Sequence, residues 1–124
     1  MIDSELIYSY SRKQAIEDGV LVDVSEMAKE AGFKYPVAIT SSLYALLNEN
    51  KPKTEDFEGR LWDILNILHL EIARTKDLKI DRIDFSVHIN TLNTKESNIH
   101  KLKCICGAGD NAEPVLTIMF INED

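Results

Sequence analysis

A long amphipathic segment, followed by three segments of strand character, most strongly constrains what this chain can fold into. Thr54 begins the segment, acidic residues occupy its first turn, and Arg74 and Lys76 close it, which is the arrangement that the helix dipole favours. Apolar side chains recur at helical spacing and form one stripe, namely Phe57, Leu61, Ile64, Leu65, Leu68 and Ile72, widened by Trp62, Ile67 and Leu70. The pattern predicts a helix over about 54–76 that crosses a sheet as the central core element.

The three segments after this helix predict an antiparallel sheet. In the first, apolar residues from Ile83 to Ile89 alternate strictly with polar ones, a period of two that is typical of a half-buried strand. We predict strands at about 82–90, 98–106 and 114–121, arranged as a three-stranded antiparallel meander packed on the long helix, which makes the fold class α+β. The preferred register sets Phe85 opposite Cys104 and Ser86 opposite Lys103, so that apolar residues face apolar ones.

The first part of the chain predicts short helices around a short strand. Residues 20–24 are apolar and β-branched, which favours a strand that can extend the sheet at an edge. Hydroxyl residues that can accept a hydrogen bond from a free backbone N–H mark three helix starts: Ser11, Ser25 and Thr40.

The last predicted strand is apolar on both faces, so its outer face needs a cover. That face carries Val115, Met119 and Ile121, with Ile99 and Ile105 beside them. The cover is expected to be either the N-terminal segment or a second subunit, which would make the protein a homodimer through the outer sheet face.

Composition narrows the class of protein. A chain of 124 residues is expected to form a single domain, 1–124. Its net charge is −7 and it has no cluster of Lys and Arg, so direct binding to nucleic acid is not expected, although an acidic mimic of nucleic acid is an alternative. No long apolar run or signal-peptide pattern occurs, so we expect a cytoplasmic protein that does not bind a membrane.

The cysteines do not make a strong metal motif. Cys104 and Cys106 are one residue apart and lie on the same face of a strand. With His100 they could bind zinc, but zinc motifs normally have paired CxxC units. We therefore expect reduced, buried thiols, no metal and no cofactor. No catalytic motif was found, so no catalytic residue is assigned.

A set of polar and aromatic residues beside turns and on the flank of the long helix is the best candidate binding site. Arg60 and Asp63 are three residues apart, so they can pair on one helix face. The alternative is structural, because the same residue types cap helices and anchor chain segments. The candidates are Tyr8, Arg12, Asp18, Asp23, Arg60, Trp62, Asp63, Asp110 and Glu113.

Three blocks of sequence resemble a known family. They are the run Ile7–Ser25 continuing through Ala31–Phe33 and Pro36–Ala38, the run Glu58–Asp63, and Gly109-Asp110 with Glu113–Val115, a β run and the closing Glu123-Asp124. The chain is similar to a family of small proteins of unknown function encoded on bacterial plasmids, integrative elements and phages. The usual Pro-Gly-Asp-Asp-Gly type turn of that family is replaced here by residues 108–112.

The resemblance implies an accessory protein of a mobile element and carries over no catalytic residue. With the acidic composition, it leads us to expect a non-enzymatic protein that acts by protein–protein binding. The alternative is a small enzyme or small-molecule binder that uses the polar cluster around Arg60, Asp63 and Asp110.

Overall fold

The computed structural model describes residues 11–49, 56–75, 81–89 and 99–123. Within these ranges the fold is α+β, with four helices and one five-stranded sheet of order β1-β2-β5-β4-β3. The elements in chain order are α1 Arg12–Glu17, β1 Leu21–Asp23, α2 Ser25–Glu30, β2 Val37–Thr40, α3 Ser41–Asn48, α4 Phe57–Arg74, β3 Arg82–His88, β4 Ile99–Ala108 and β5 Pro114–Phe120.

The sheet differs from the predicted three-stranded antiparallel meander because it is mixed and has two further strands. β1 pairs antiparallel with β2, and β2 pairs parallel with β5. The sequence indicated only an extended segment where β2 lies. Its first three residues, Val37, Ala38 and Ile39, are all fully buried. Such a short strand, covered on both faces, lacks the polar alternation that identifies a strand in a sequence.

The register between β3 and β4 is shifted by two residues from the predicted one. Phe85 lies opposite Leu102, rather than Cys104, and Asp84 lies opposite Lys103. A shift of two keeps every side chain on its own face, so the apolar pattern could not distinguish the two registers. The observed register makes Asp84 and Lys103 cross-strand partners, which places opposite charges on neighbouring strands and favours this pairing.

α4 supplies the centre of the core on one face of the sheet, but the predicted apolar stripe was too wide. Leu61, Leu65 and their neighbours Ile64 and Leu68 are buried. In contrast, Trp62 is 37% exposed and Leu70 is 62% exposed. With about 3.6 residues per turn, these two positions fall on the opposite side of the helix. The predicted ends of this helix, residues 54, 55 and 76, lie outside the described residues.

The outer face of the sheet is largely covered within the chain. Val115 and Met119 are only 5% and 7% exposed, although Ile99 is exposed. Arg12 at the start of α1 contacts β5 on this face through the side chain of Thr117, which shows that the N-terminal part of the described chain contributes to the cover. None of the described helices combines the length and the apolar character needed to cross a membrane.

Candidate functional site

Four of the candidate residues come together where α1, the 109–113 turn and the outer face of β5 meet. Two clefts, of about 410 and about 580 Å³, open there, and Arg12 and Asp110 line both of them. Asp23 and Glu113 line the smaller cleft. We call this group, Arg12, Asp23, Asp110 and Glu113, the polar cluster.

Arg12 anchors α1 to the sheet. Its Nη1 donates to Oγ1 of Thr117 at 2.8 Å, and its Nη2 donates to the backbone carbonyl of Leu116 at 2.7 Å. Burial lowers the pKa of the Arg12 guanidinium from its ordinary value, and the carboxylates of Asp23 and Asp110 act in the opposite direction. The guanidinium therefore bonds directly to neutral acceptors while acidic groups surround it at longer range.

Asp110 stabilises the first turn of α1. Its Oδ1 accepts from the backbone N–H of Arg12 at 2.8 Å, and its Oδ2 accepts from that of Lys13 at 3.1 Å. The side chain of Ser11 accepts from the backbone N–H of Gln14. The first turn of a helix leaves such N–H groups without a helical partner, so the Asp110 carboxylate completes the capping that Ser11 begins.

Glu113 closes the turn that carries Asp110. Its Oε2 accepts from the backbone N–H of Asn111 at 3.2 Å, and its backbone carbonyl accepts from the N–H of Gly109. A Cβ added at Gly109 would meet the Glu113 carboxylate, so a larger residue there would displace this side chain from its place in the turn. Ala112 has a positive φ of 65°, a conformation that L residues seldom adopt. The turn thus holds Asp110 in the position that α1 requires.

Asp23 and Asp18 also have local structural roles. Oδ1 of Asp23 accepts from the backbone N–H and from Oγ of Ser25, at 3.1 and 2.5 Å. The same Ser25 Oγ accepts from the N–H of Val37, so Asp23 fixes the start of α2 against β2. Asp18 is the C-terminal cap residue of α1 and is not among the residues lining the two clefts.

Arg60 serves a different element. Its Nη1 donates to the carbonyls of Leu46, Leu47 and Glu49, at 3.1, 3.3 and 2.8 Å. These carbonyls lie at the end of α3, where most carbonyls lack a helical N–H partner, although that of Leu46 also accepts from the backbone N–H of Glu49. Arg60 therefore fastens the end of α3 to α4, whereas Asp110 contacts α1. Trp62 and Asp63 are exposed on α4, and Tyr8 lies outside the described residues.

Sequence reasoning missed a second anchoring group at the end of the chain. The Glu123 carboxylate accepts from the hydroxyls of Thr40 and Ser42, at 2.9 and 2.6 Å, and from the backbone N–H of Phe120 at 2.7 Å. The buried Lys103 ammonium donates to the backbone carbonyl of Glu123. Thr40 and Ser42 begin α3, so one carboxylate joins the start of α3 to the end of β5. A terminal acid gave no sequence signal for this role.

Cys104, Cys106 and His100 of β4 do not form a reactive or metal-binding group with other residues in the part of the chain that is described. Burial raises the pKa of the Cys104 thiol to about 12, and the neighbouring Cys106 adds to this effect. Burial also lowers the pKa of His100, with His88 contributing. Cys104 is therefore protonated at neutral pH, which disfavours both metal binding and nucleophilic attack. No group of three or more His, Cys, Asp or Glu side chains in the described ranges could hold a metal ion.

The solvent-facing side of α4 carries a line of uncharged residues with exposed charged residues, including Glu58 and Asp63, on its flanks. The line consists of residues spaced along one side of the helix, which we call the outer stripe: Gly59, Trp62, Asn66, Leu70 and Ala73. Trp62 and Leu70 are its large side chains and lie about 12 Å apart along the helix axis. Solvent-exposed helix faces usually carry charged residues, so an exposed Trp and Leu on an uncharged stripe need an explanation.

The fold and the site together define a small α+β protein in which a polar cluster anchors a short N-terminal helix to a mixed sheet. A model of a family of unknown function, DUF6573, matches residues 1–124 of the chain. The chain belongs to this family. Comparison with curated proteins and with solved structures found no match.

Proposed function

We propose that this protein acts by binding another protein through the outer stripe of α4. The observation that carries the proposal is the exposure of two large apolar side chains, Trp62 and Leu70, on the outer stripe of α4. Trp is among the residues most enriched at binding hot spots, and an exposed apolar helix face is a common recognition surface. Replacing such a surface with charged residues would increase solubility, so its presence supports a binding role.

The contacts of Arg12, Asp110 and Arg60 support this proposal over a small enzyme or small-molecule binder. Arg12 bonds β5, Asp110 bonds the first turn of α1, and Arg60 bonds the end of α3. Each of these side chains forms a hydrogen bond with a backbone group of a helix or strand, which is the structural role expected as the alternative to ligand binding for these residue types. The predicted ligand site around Arg60, Asp63 and Asp110 would need these side chains to converge on one cavity.

The proposal also includes the genetic setting, the cellular location and the oligomeric state of the protein. The resemblance supports a role as an accessory protein of a bacterial mobile element, and the net charge of −7 supports the absence of direct nucleic-acid binding. A cytoplasmic setting stays a prediction. A homodimer through the outer sheet face stays a prediction, and the low exposure of Val115 and Met119 reduces the apolar area available to it. Sedimentation at high protein concentration tests the homodimer.

Site-specific crosslinking in the bacterial host tests the binding surface. A photoreactive phenylalanine at the half-buried Asn66 lies between Trp62 and Leu70, and the same group at exposed Glu49 provides a control elsewhere on the surface. The proposal predicts a discrete crosslinked species from position 66 that disappears in a Trp62→Ala/Leu70→Ala background. Equal crosslinking from both positions, or persistence in the double variant, would contradict it.

A further inference from the structure

A groove between α2 and the start of α4 combines an apolar wall with an acidic rim. Its volume is about 540 Å³. Met27, Phe57 and Leu61 contribute apolar surface, while Glu26, Glu30 and Glu58 contribute carboxylates, and Asp23 lies at one end. No Lys or Arg is among the described residues that line it. We call this feature the acidic groove.

Helix stabilisation explains only part of this rim. Glu26 and Glu58 lie in the first turns of α2 and α4, where the helix dipole favours negative charge. Glu30 is the last residue of α2, where the dipole disfavours a carboxylate. The helix dipole therefore accounts for two of the three carboxylates that line the groove and leaves Glu30 as negative charge available to a cationic group.

The acidic groove is continuous with the outer stripe. Glu58 and Trp62 are four residues apart on α4, so their side chains are neighbours on one side of the helix. A segment that covers Trp62 can therefore extend into the groove without leaving the surface of α4. The net charge of −7 also attracts a cationic partner and repels an acidic one.

We propose that the acidic groove receives a Lys- or Arg-bearing amphipathic segment of the protein that docks on the outer stripe. Apolar side chains of that segment contact Met27 and Phe57, and its cationic groups pair with Glu30 and Glu58. This inference rests on the proposed function and adds the chemistry of the partner. Since exposed charge pairs are screened by ions, the binding must weaken as salt is raised.

A matched pair of synthetic peptides tests the inference with the full-length chain. One is a fluorescent amphipathic peptide of Leu and Lys, and the other has the same Leu positions with Glu in place of Lys. Fluorescence anisotropy is measured for the wild type, for a Glu26→Gln/Glu30→Gln/Glu58→Gln variant of the groove, and for a Glu17→Gln/Glu49→Gln variant of other exposed acids. Thermal unfolding checks that each variant is folded.

The inference predicts saturable binding of the Lys peptide only. The groove variant should raise its Kd about tenfold, the control variant less than about twofold on the same basis, and added salt should weaken binding to the wild type. Equal binding of the Glu peptide, an equal loss in both variants or no binding at all would overturn it. The crosslinking experiment with the Trp62→Ala/Leu70→Ala variant separates the failure of this inference from the failure of the proposed function. If the crosslink from position 66 depends on Trp62 and Leu70 but the groove variant binds the Lys peptide as the wild type does, only the groove inference is rejected. If the groove variant weakens peptide binding but the crosslink does not depend on Trp62 and Leu70, only the proposed function is rejected.

Discussion

Asp110 and Arg12 are 98 residues apart in the sequence, yet Oδ1 of Asp110 accepts the backbone N–H of Arg12 at 2.8 Å. The bond joins the turn before the last strand to the first turn of α1. Arg12 in turn reaches back to the carbonyl of Leu116 on that strand. Hydrogen bonds in both directions therefore join the first helix of the described chain to its last turn and strand.

Removing the Asp110 carboxylate should destabilise the fold. Asp110→Ala leaves the N–H groups of Arg12 and Lys13 without their acceptor, and loss of a helix-capping side chain costs about 1 kcal/mol. Urea unfolding should show this decrease in the free energy of unfolding, with a smaller decrease for Asp110→Asn, which keeps one acceptor oxygen. Exposed Asp63→Ala is the control, and equal stability of all three variants would refute the capping role.

The Glu123 carboxylate should have a larger effect. Glu123→Ala removes the acceptor for Thr40, Ser42 and the backbone N–H of Phe120. A hydrogen bond to a charged group contributes about 1.5–3 kcal/mol, so a loss of about that size is expected in urea unfolding. Exposed Glu17→Ala should change stability by only about 0.5 kcal/mol. If the two variants unfold alike, Glu123 does not anchor α3.

The orientation of α4 can be tested by two leucines. Leu65 is fully buried, and Leu65→Ala should reduce the free energy of unfolding by about 2–5 kcal/mol. Leu70 is mostly exposed, so Leu70→Ala should stay within about 0.5 kcal/mol of the wild type. An unchanged melting temperature for Leu65→Ala, or a large loss for Leu70→Ala, would place the wrong side of the helix in the core.

Titration of Cys104 should lower stability in alkali. The folded protein raises the pKa of this thiol from its ordinary value near 9 to about 12, so the folded state holds a proton that the unfolded state releases between these values. The contribution of Cys104 to the free energy of unfolding is fully present below about pH 9 and falls as the pH rises towards about 12. It falls because the unfolded state binds fewer protons than the folded state in this range.

A Cys104→Ala variant isolates this effect from other groups that titrate in alkali. The difference in unfolding free energy between wild type and variant should shrink as the pH rises above 9. A thiol reagent at neutral pH should also label the partly buried Cys106 and spare Cys104 in the folded protein. A constant difference across the pH range, or rapid labelling of both cysteines, would show that Cys104 is not buried as described.

Local signals in the sequence predicted the elements better than their arrangement. Ser11 and Thr40 cap helices as their residue types indicated, because capping depends on neighbouring residues. The prediction for Ser25 was wrong: Ser25 is the first residue of α2, and Val24 at the N-cap makes no side-chain cap hydrogen bond. The parallel pairing of β2 with β5 joins segments far apart in the chain, and no local pattern encodes it. The register of β3 and β4 was missed for a related reason: shifts of two residues are equivalent to the apolar pattern.

In the candidate site, too, the sequence predicted which residues are involved better than it predicted their partners. Residue type selected Arg12, Asp23, Asp110 and Glu113, which the fold brings together, but their partners are backbone groups that a sequence does not reveal. Arg60 on the long helix and Asp110 beside a turn were grouped as polar residues, but Arg60 bonds the end of α3 and Asp110 bonds the first turn of α1. Trp62 was assigned to the core by its hydrophobicity, although its position on α4 places it towards solvent.

The central claim is that the polar cluster holds the fold while the outer stripe binds a partner. The most direct measurement compares an Arg12→Met variant with a Trp62→Ala/Leu70→Ala variant, recording for each the free energy of unfolding and the yield of the Asn66 crosslink. The account predicts that Arg12→Met loses about 1–3 kcal/mol of stability and keeps the crosslink while folded, whereas the double variant stays folded and loses it. An Arg12→Met variant that is fully stable but loses the crosslink, beside a double variant that keeps it, would contradict the account.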